Sequence, residues 1–121
     1  MGSVTTFPQR TGVSPLGPNQ QTLASGAAPA WDISLGNVAA LATGANATVT
    51  LGAPSNVPQA GMMCSITITQ DGTGGRTVAW NAAYIFPSAF SNTGNTANKK
   101  TTVAFISDGT SLVALGANSW Y

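Results

Sequence analysis

Three aspartates, four cations and one thiol are the side chains from which charged chemistry could be built: Asp32, Asp71, Asp108, Arg10, Arg76, Lys99, Lys100 and Cys64. Histidine is absent, which excludes Ser-His-Asp and Cys-His nucleophilic arrangements and leaves Cys64 without an internal base. It also excludes zinc sites of mixed His and Cys ligands within one chain. Glutamate is absent too, so paired-carboxylate glycoside chemistry would have to use two of the three aspartates. Asp71 and Asp108 each precede a glycine, where aspartate has an ordinary role bonding backbone amides of a turn. Gly72-Thr73-Gly74-Gly75-Arg76 lacks the Gly-Lys-Ser/Thr ending of a phosphate loop and joins two strand-like segments. Calcium could draw on carbonyls and Asp71 or Asp108, but no run of acidic ligands is present. The residues therefore assign no catalytic site, no metal and no cofactor, and the expectation is a protein that is not an enzyme. Trp31, Trp80, Trp120 and Tyr121 could form a sugar-stacking surface or serve as partner anchors.

The elements that would position such residues belong to a chain of unusual composition. With 121 residues there is room for one domain, and 43% hydrophobic residues suffice for a core. Charged residues make up only 6%, against roughly 25% in ordinary soluble proteins. Threonine, serine, asparagine and glycine must cover most of the surface. At a net charge of +1, repulsion does little to keep copies apart. Such a surface suits a protein held in an assembly. Four scattered cations argue against nucleic acid as a partner. No apolar run reaches the length of a membrane helix, and no charged segment followed by an apolar one marks a secretory signal. A single cysteine leaves no intrachain disulfide, and Cys64 reads as a small buried hydrophobe.

Residues 1–30 differ from the rest. Pro8, Pro15, Pro18 and Pro29 alternate with Gly12, Gly17 and Gly26, so neither the helical nor the strand period persists. Spaced among polar residues, Phe7, Arg10, Val13, Leu16 and Leu23 suggest an extended arm that orders on a partner's surface. Residues 31–121 read as strands. Ala47 to Leu51 alternates apolar and polar. So does the next segment, where Cys64, Ile66 and Ile68 share one face and Ser65, Thr67 and Thr69 the other. Gln70, Asp71, Gly72, Thr73, Gly74 and Gly75 then form a loop expected to close a hairpin with Arg76 to Trp80. A short strand or bend surrounds Tyr84 to Pro87, and Ser91 to Lys100 is a polar loop. Thr101–Ser107 and Ser111–Gly116, joined at Asp108-Gly109, carry apolar residues on both faces, which predicts cover on both sides. Val103, Phe105, Val113 and Leu115 are the candidate subunit interface. The pattern predicts an all-β, small jelly-roll-like β-sandwich behind the extended arm, and its modest size favours association into a homotrimer.

The stretch Ile66-Thr67-Ile68-Thr69-Gln70-Asp71-Gly72-Thr73-Gly74-Gly75-Arg76-Thr77-Val78-Ala79-Trp80 resembles a segment of bacteriophage structural modules. There, an "ITQDGTGGRTVTW"-like hairpin precedes a Phe-Pro segment, an Asn/Thr-rich loop and a strand ending in "SDGT". The counterparts here are Ile85-Phe86-Pro87, Ser91 to Asn98, and Val103 through Thr110. The resemblance covers roughly residues 45 to 121 and implies a β-rich, often trimeric module of tail fibres, baseplates or capsid decoration proteins. It carries no catalytic residues.

A module standing nearly alone behind an arm is similar to a capsid cement protein. The expectation is a decoration protein on the outer capsid surface of the virion, with the major capsid protein and its own copies as partners. The alternative is a tail fibre or baseplate component that recognises host-surface glycans. Neither nucleic acid nor membrane is an expected partner.

Overall fold

Alternation at residues 63–69 puts Cys64, Ile66 and Ile68 inside and Ser65, Thr67 and Thr69 outside, the two-residue period of a strand with one face in the core. The computed structural model describes residues 20–87 and 96–117. Eight strands follow in chain order: β1 (Gln20–Thr22), β2 (Val38–Ala42), β3 (Thr48–Leu51), β4 (Met63–Thr69), β5 (Thr77–Trp80), β6 (Tyr84–Ile85), β7 (Lys100–Ser107) and β8 (Leu112–Ala117). The one helical element described is a 3-10 turn at Ile33–Leu35. The all-β class read from the sequence is the class observed.

Six strands form one mixed sheet in the order β1-β2-β4-β7-β8-β6, and β3 pairs with β5 in a second, smaller sheet. The first half of the chain winds as a coil. β1, β2 and β4 stack in parallel, with Gln21 beside Ala39 and Ala39 beside Ile66. In the other layer β3 lies parallel to β5, with Val49 beside Val78 and Leu51 beside Trp80. Residues 27–31 run along the outer edge of β3, where Thr50 N–H donates to the Ala27 carbonyl (2.7 Å) and Gly52 N–H to that of Pro29 (3.2 Å). Each turn of the coil thus lays one segment on each layer. β7 then pairs antiparallel with β4, and β8 with β7.

Two sequence expectations change in this frame. Of the six pairings, four are parallel, whereas jelly rolls are antiparallel, so the connectivity is not that of a jelly roll. The loop Gln70–Gly75 does not close a hairpin either. β2 and β7 occupy both edges of β4, so β5 has no edge to pair with and crosses to the other layer instead. The Asp108-Gly109 turn does join a true hairpin, β7 to β8.

The core between the layers contains Ala39, Leu41, Ile66, Ile68, Val103, Phe105 and Leu112 from the large sheet, facing Val49, Leu51 and Val78 from the small one. Trp31 is wholly buried and stacks on Tyr84 (centroids 6.4 Å apart, planes at 12°), while Tyr84 also tilts against Phe105 at 5.7 Å. Trp80 meets Tyr84 edge-on at 5.3 Å and Phe86 at 5.1 Å. These rings join both layers and β6.

The folded unit reaches back into the expected arm. β1 pairs with β2, and Leu23 is a core residue, 4% exposed. Leu23 is therefore no free partner contact, because its side chain is spent on the domain's own interior. Phe7, Arg10, Val13 and Leu16 lie outside the described residues. Leu23→Ala is expected to lower the free energy of unfolding by about 2–4 kcal/mol, measured by urea denaturation. A side chain on a loose arm would leave the midpoint unchanged.

Candidate functional site

Each aspartate is committed to a loop. Asp32 Oδ1 accepts from Ser34 N–H (3.0 Å), Ser34 Oγ (2.6 Å) and Asn56 Nδ2 (2.8 Å), and the Ser34 hydroxyl leads the contacts that lower its pKa. Asp108 Oδ1 accepts from the amides of Thr110 (3.0 Å) and Ser111 (2.7 Å), which hold its carboxyl below the usual range. Asp71 grips the guanidinium of Arg76 with both oxygens, at 3.1 Å to Nε and 2.8 Å to Nη2, and also accepts from the amides of Thr73 and Gly74. The Arg76 contact is the main reason its pKa falls to about 2. All three carboxylates are kept ionised, the wrong state for a general acid at neutral pH. Among the described residues no group of acidic, thiol or imidazole ligands gathers that could hold a metal ion.

Gln70 is the polar residue that matters most to the crossing. It is 2% exposed. Its Nε2 donates to the Arg76 carbonyl (2.9 Å), and its Oε1 accepts from the Arg76 amide (2.8 Å). One side chain thus supplies both bonds that a neighbouring strand would have given. Gly74 and Gly75, at φ +76° and +72°, complete a turn that residues with a β-carbon rarely follow. The segment Gln70–Gly75 that carries the sequence resemblance is an arch between layers.

Cys64 lies in the core at 3% exposure, and burial pushes its thiol pKa up, an inert setting. Trp31 offers no open stacking face, since its ring is buried and its Nε1 donates to the Gly36 carbonyl at 3.0 Å. Trp80 is half-buried within the aromatic cluster. Trp120 and Tyr121 lie outside the described residues.

What remains open is the outer face of the six-stranded sheet. Val103 and Phe105, expected at a subunit interface, point the other way and are fully buried. They fill the domain's own core, and strand alternation gives the outer face to their neighbours. Val113 and Leu115 do lie outside, half-buried and 56% exposed. The strand registers align Met63 with Ile106, Ile106 with Val113, and Val113 with Ile85, an apolar row across four strands that the sequence reading missed. The alternation of β7 signals its outer residues, but the alignment of strands distant in sequence has no local mark. Beside the row, Thr102, Ala104, Leu115, Gly116 and Ala117 line a shallow depression of about 410 Å³. Among the described residues the face carries one charge, Lys100, at the end away from the row.

Over residues 30–112 the sequence matches the family described as "Putative phage tail fibre C-terminal domain". The chain belongs to this family. The match spans both layers, from the segment beside β3 through the arch to the start of β8. No curated protein matches the chain. As a member of the tail fibre family, it is a phage virion structural module.

The Asp71–Arg76 pair predicts an acid response. Its carboxyl titrates near about 2 when folded, against 3.8 ordinarily, so its contribution is complete above that ordinary value and disappears as pH falls through the folded one. Asp71→Asn is expected to be less stable than the parent near neutral pH, with the gap closing as pH drops from about 4 to about 2. Thermal unfolding across that range reads the effect.

Proposed function

We propose that this chain is a tail fibre module that works by packing against other polypeptides of the fibre, without catalysis. The observation that carries the reading is the family match over residues 30–112, which supports a fibre location over the outer surface of the head. The geometry agrees with a passive role. Every described carboxylate already accepts hydrogen bonds in the turn it serves, and among the described residues the outer face of the large sheet is nearly uncharged. Surfaces of that kind become favourable when they lose water against another protein.

In this reading the small residues of the outer face, such as Ala40, Thr67, Thr102 and Ala104, permit close approach. The larger ones supply the apolar area. Host-surface glycan recognition would then fall to parts of the fibre other than Trp31, whose ring is enclosed.

Gold-labelled antibody raised against this chain, applied to purified particles, tests the placement. Label along or at the tips of tail fibres is expected. Label confined to the head surface would overturn it and return the chain to a decoration role.

A further inference from the structure

On its core side β7 carries Thr101, Val103, Phe105 and Ser107. A serine at the last of these positions, 3% exposed, takes a hydroxyl out of water, and both functions of that hydroxyl are used. Ser107 Oγ donates to the Pro58 carbonyl (2.6 Å) and accepts from the Gly109 amide (3.0 Å). Pro58 lies in the loop before β4, so the hydroxyl is oriented from outside the turn that it serves. That turn contains a chemically labile pair. In an Asp-Gly sequence the glycine nitrogen can attack the aspartate side-chain carbon, since glycine has no β-carbon to hinder the approach. The nitrogen–Cγ bond forms, the amide proton and the carboxyl hydroxyl leave as water, and a second water reopens the ring at either carbonyl. Opening at the main-chain carbonyl leaves the backbone running through the aspartate side chain, one carbon longer, with no other reactant consumed. Neither residue is replaceable without loosening the turn. Asp108 Oδ1 bonds the amides of Thr110 (3.0 Å) and Ser111 (2.7 Å), and Gly109 lies at φ +101°, where a β-carbon is strained.

We propose that Ser107 protects the Asp108-Gly109 linkage from this rearrangement to an isoaspartyl bond by holding the Gly109 amide. An amide that donates to Oγ keeps its proton, and that bond must break before the nitrogen acts as a nucleophile. The carboxylate is restrained as well, because turning it onto the nitrogen breaks its bonds to Thr110 and Ser111. The same two amides hold it below its ordinary range, and an ionised carboxylate has no hydroxyl to release. What the protection preserves is the β7–β8 register. Ser107 pairs with Leu112, and Val113 with Ile85, so an extra backbone carbon between residues 108 and 109 would displace the fully buried Leu112. A virion module leaves the cell that made it, so such damage is not replaced by new synthesis. This role goes beyond packing and holds whatever the module packs against.

Prolonged warm incubation of the full-length chain at mildly acidic pH, followed by peptide mapping that separates aspartyl from isoaspartyl linkages, tests the proposal. The folded parent is expected to rearrange at Asp108 at least about tenfold more slowly than the same chain unfolded in urea. Ser107→Ala, with circular dichroism matching the parent, should rearrange there about tenfold faster than the parent, the effect of one lost hydrogen bond. Asp71-Gly72 is the internal control. It lies in the arch, at the end of the sheet where Thr69 pairs with Lys100, whereas Ser107 ends β7 at the other, so its rate should be the same in variant and parent. If Ser107→Ala does not fold, hydrogen exchange at the Gly109 amide of the parent carries the test, with at least about tenfold protection expected. A folded parent that rearranges at Asp108 as fast as the unfolded chain would overturn the proposal. So would a folded Ser107→Ala at the parent's rate, an equal acceleration at Asp71, or a Gly109 amide that exchanges as in a free peptide.

Discussion

The structure depends on a buried glutamine that substitutes for a missing strand. When β4 ends at Thr69, both of its edges are already taken, and the chain must leave the sheet through the interior. Leaving a sheet takes backbone groups away from their partners, and in this partly buried place each one left unpaired costs about 1–3 kcal/mol. Gln70 removes that cost by bonding both the amide and the carbonyl of Arg76. Asp71 extends the hold by accepting from Thr73 and Gly74 and by fixing the Arg76 side chain. Its carbonyl also takes the Asn98 amide, while the Gln70 amide donates to Lys99. The arch is thereby tied to the start of β7 as well as to β5.

From that crossing the layers follow. Once β5 is delivered to the second layer it lies parallel to β3, and Val78 and Trp80 fall beside Val49 and Leu51. The preceding turn of the coil makes the same crossing with smaller residues. Thr43, fully buried, occupies the place next to Gln70, and Asn46 Nδ2 bonds its carbonyl at 3.0 Å. Charge is distributed to match. Arg76, Lys99 and Lys100 gather at the arch end, while Asp32 and Asp108 serve turns at the opposite end. The sheet face between them is left almost without charge, the condition under which packing against protein is favoured.

Local patterns were legible in the sequence and non-local ones were not. Cys64, Ile66 and Ile68 alternate with polar residues, so β4 and its inner face could be read directly. Asp108-Gly109 marks a hairpin by turn chemistry, and the hairpin is there. Asp71-Gly72 carries the same local signal yet sits in an arch. What distinguishes the two is whether neighbouring strands leave an edge free, and only the register shows that. Leu23 looked like an anchor on a proline-rich arm because its partners in the core lie far along the chain. In β7 and β8, apolar residues on both faces predicted cover on both sides, without saying which face is inside the domain. Val103 and Phe105 went to the core, Val113 and Leu115 to the surface. The absence of histidine and glutamate argued against enzymes, whereas the row of apolar residues emerged only once four strands had been aligned.

The two-layer coil and its open face thus rest on one side chain holding the crossing. Equilibrium urea unfolding of Gln70→Leu measures this most directly, since leucine fills similar volume without either bond. A loss of about 2–4 kcal/mol is expected from the stranded amide and carbonyl of Arg76. A variant as stable as the parent would mean that the crossing is held by something else.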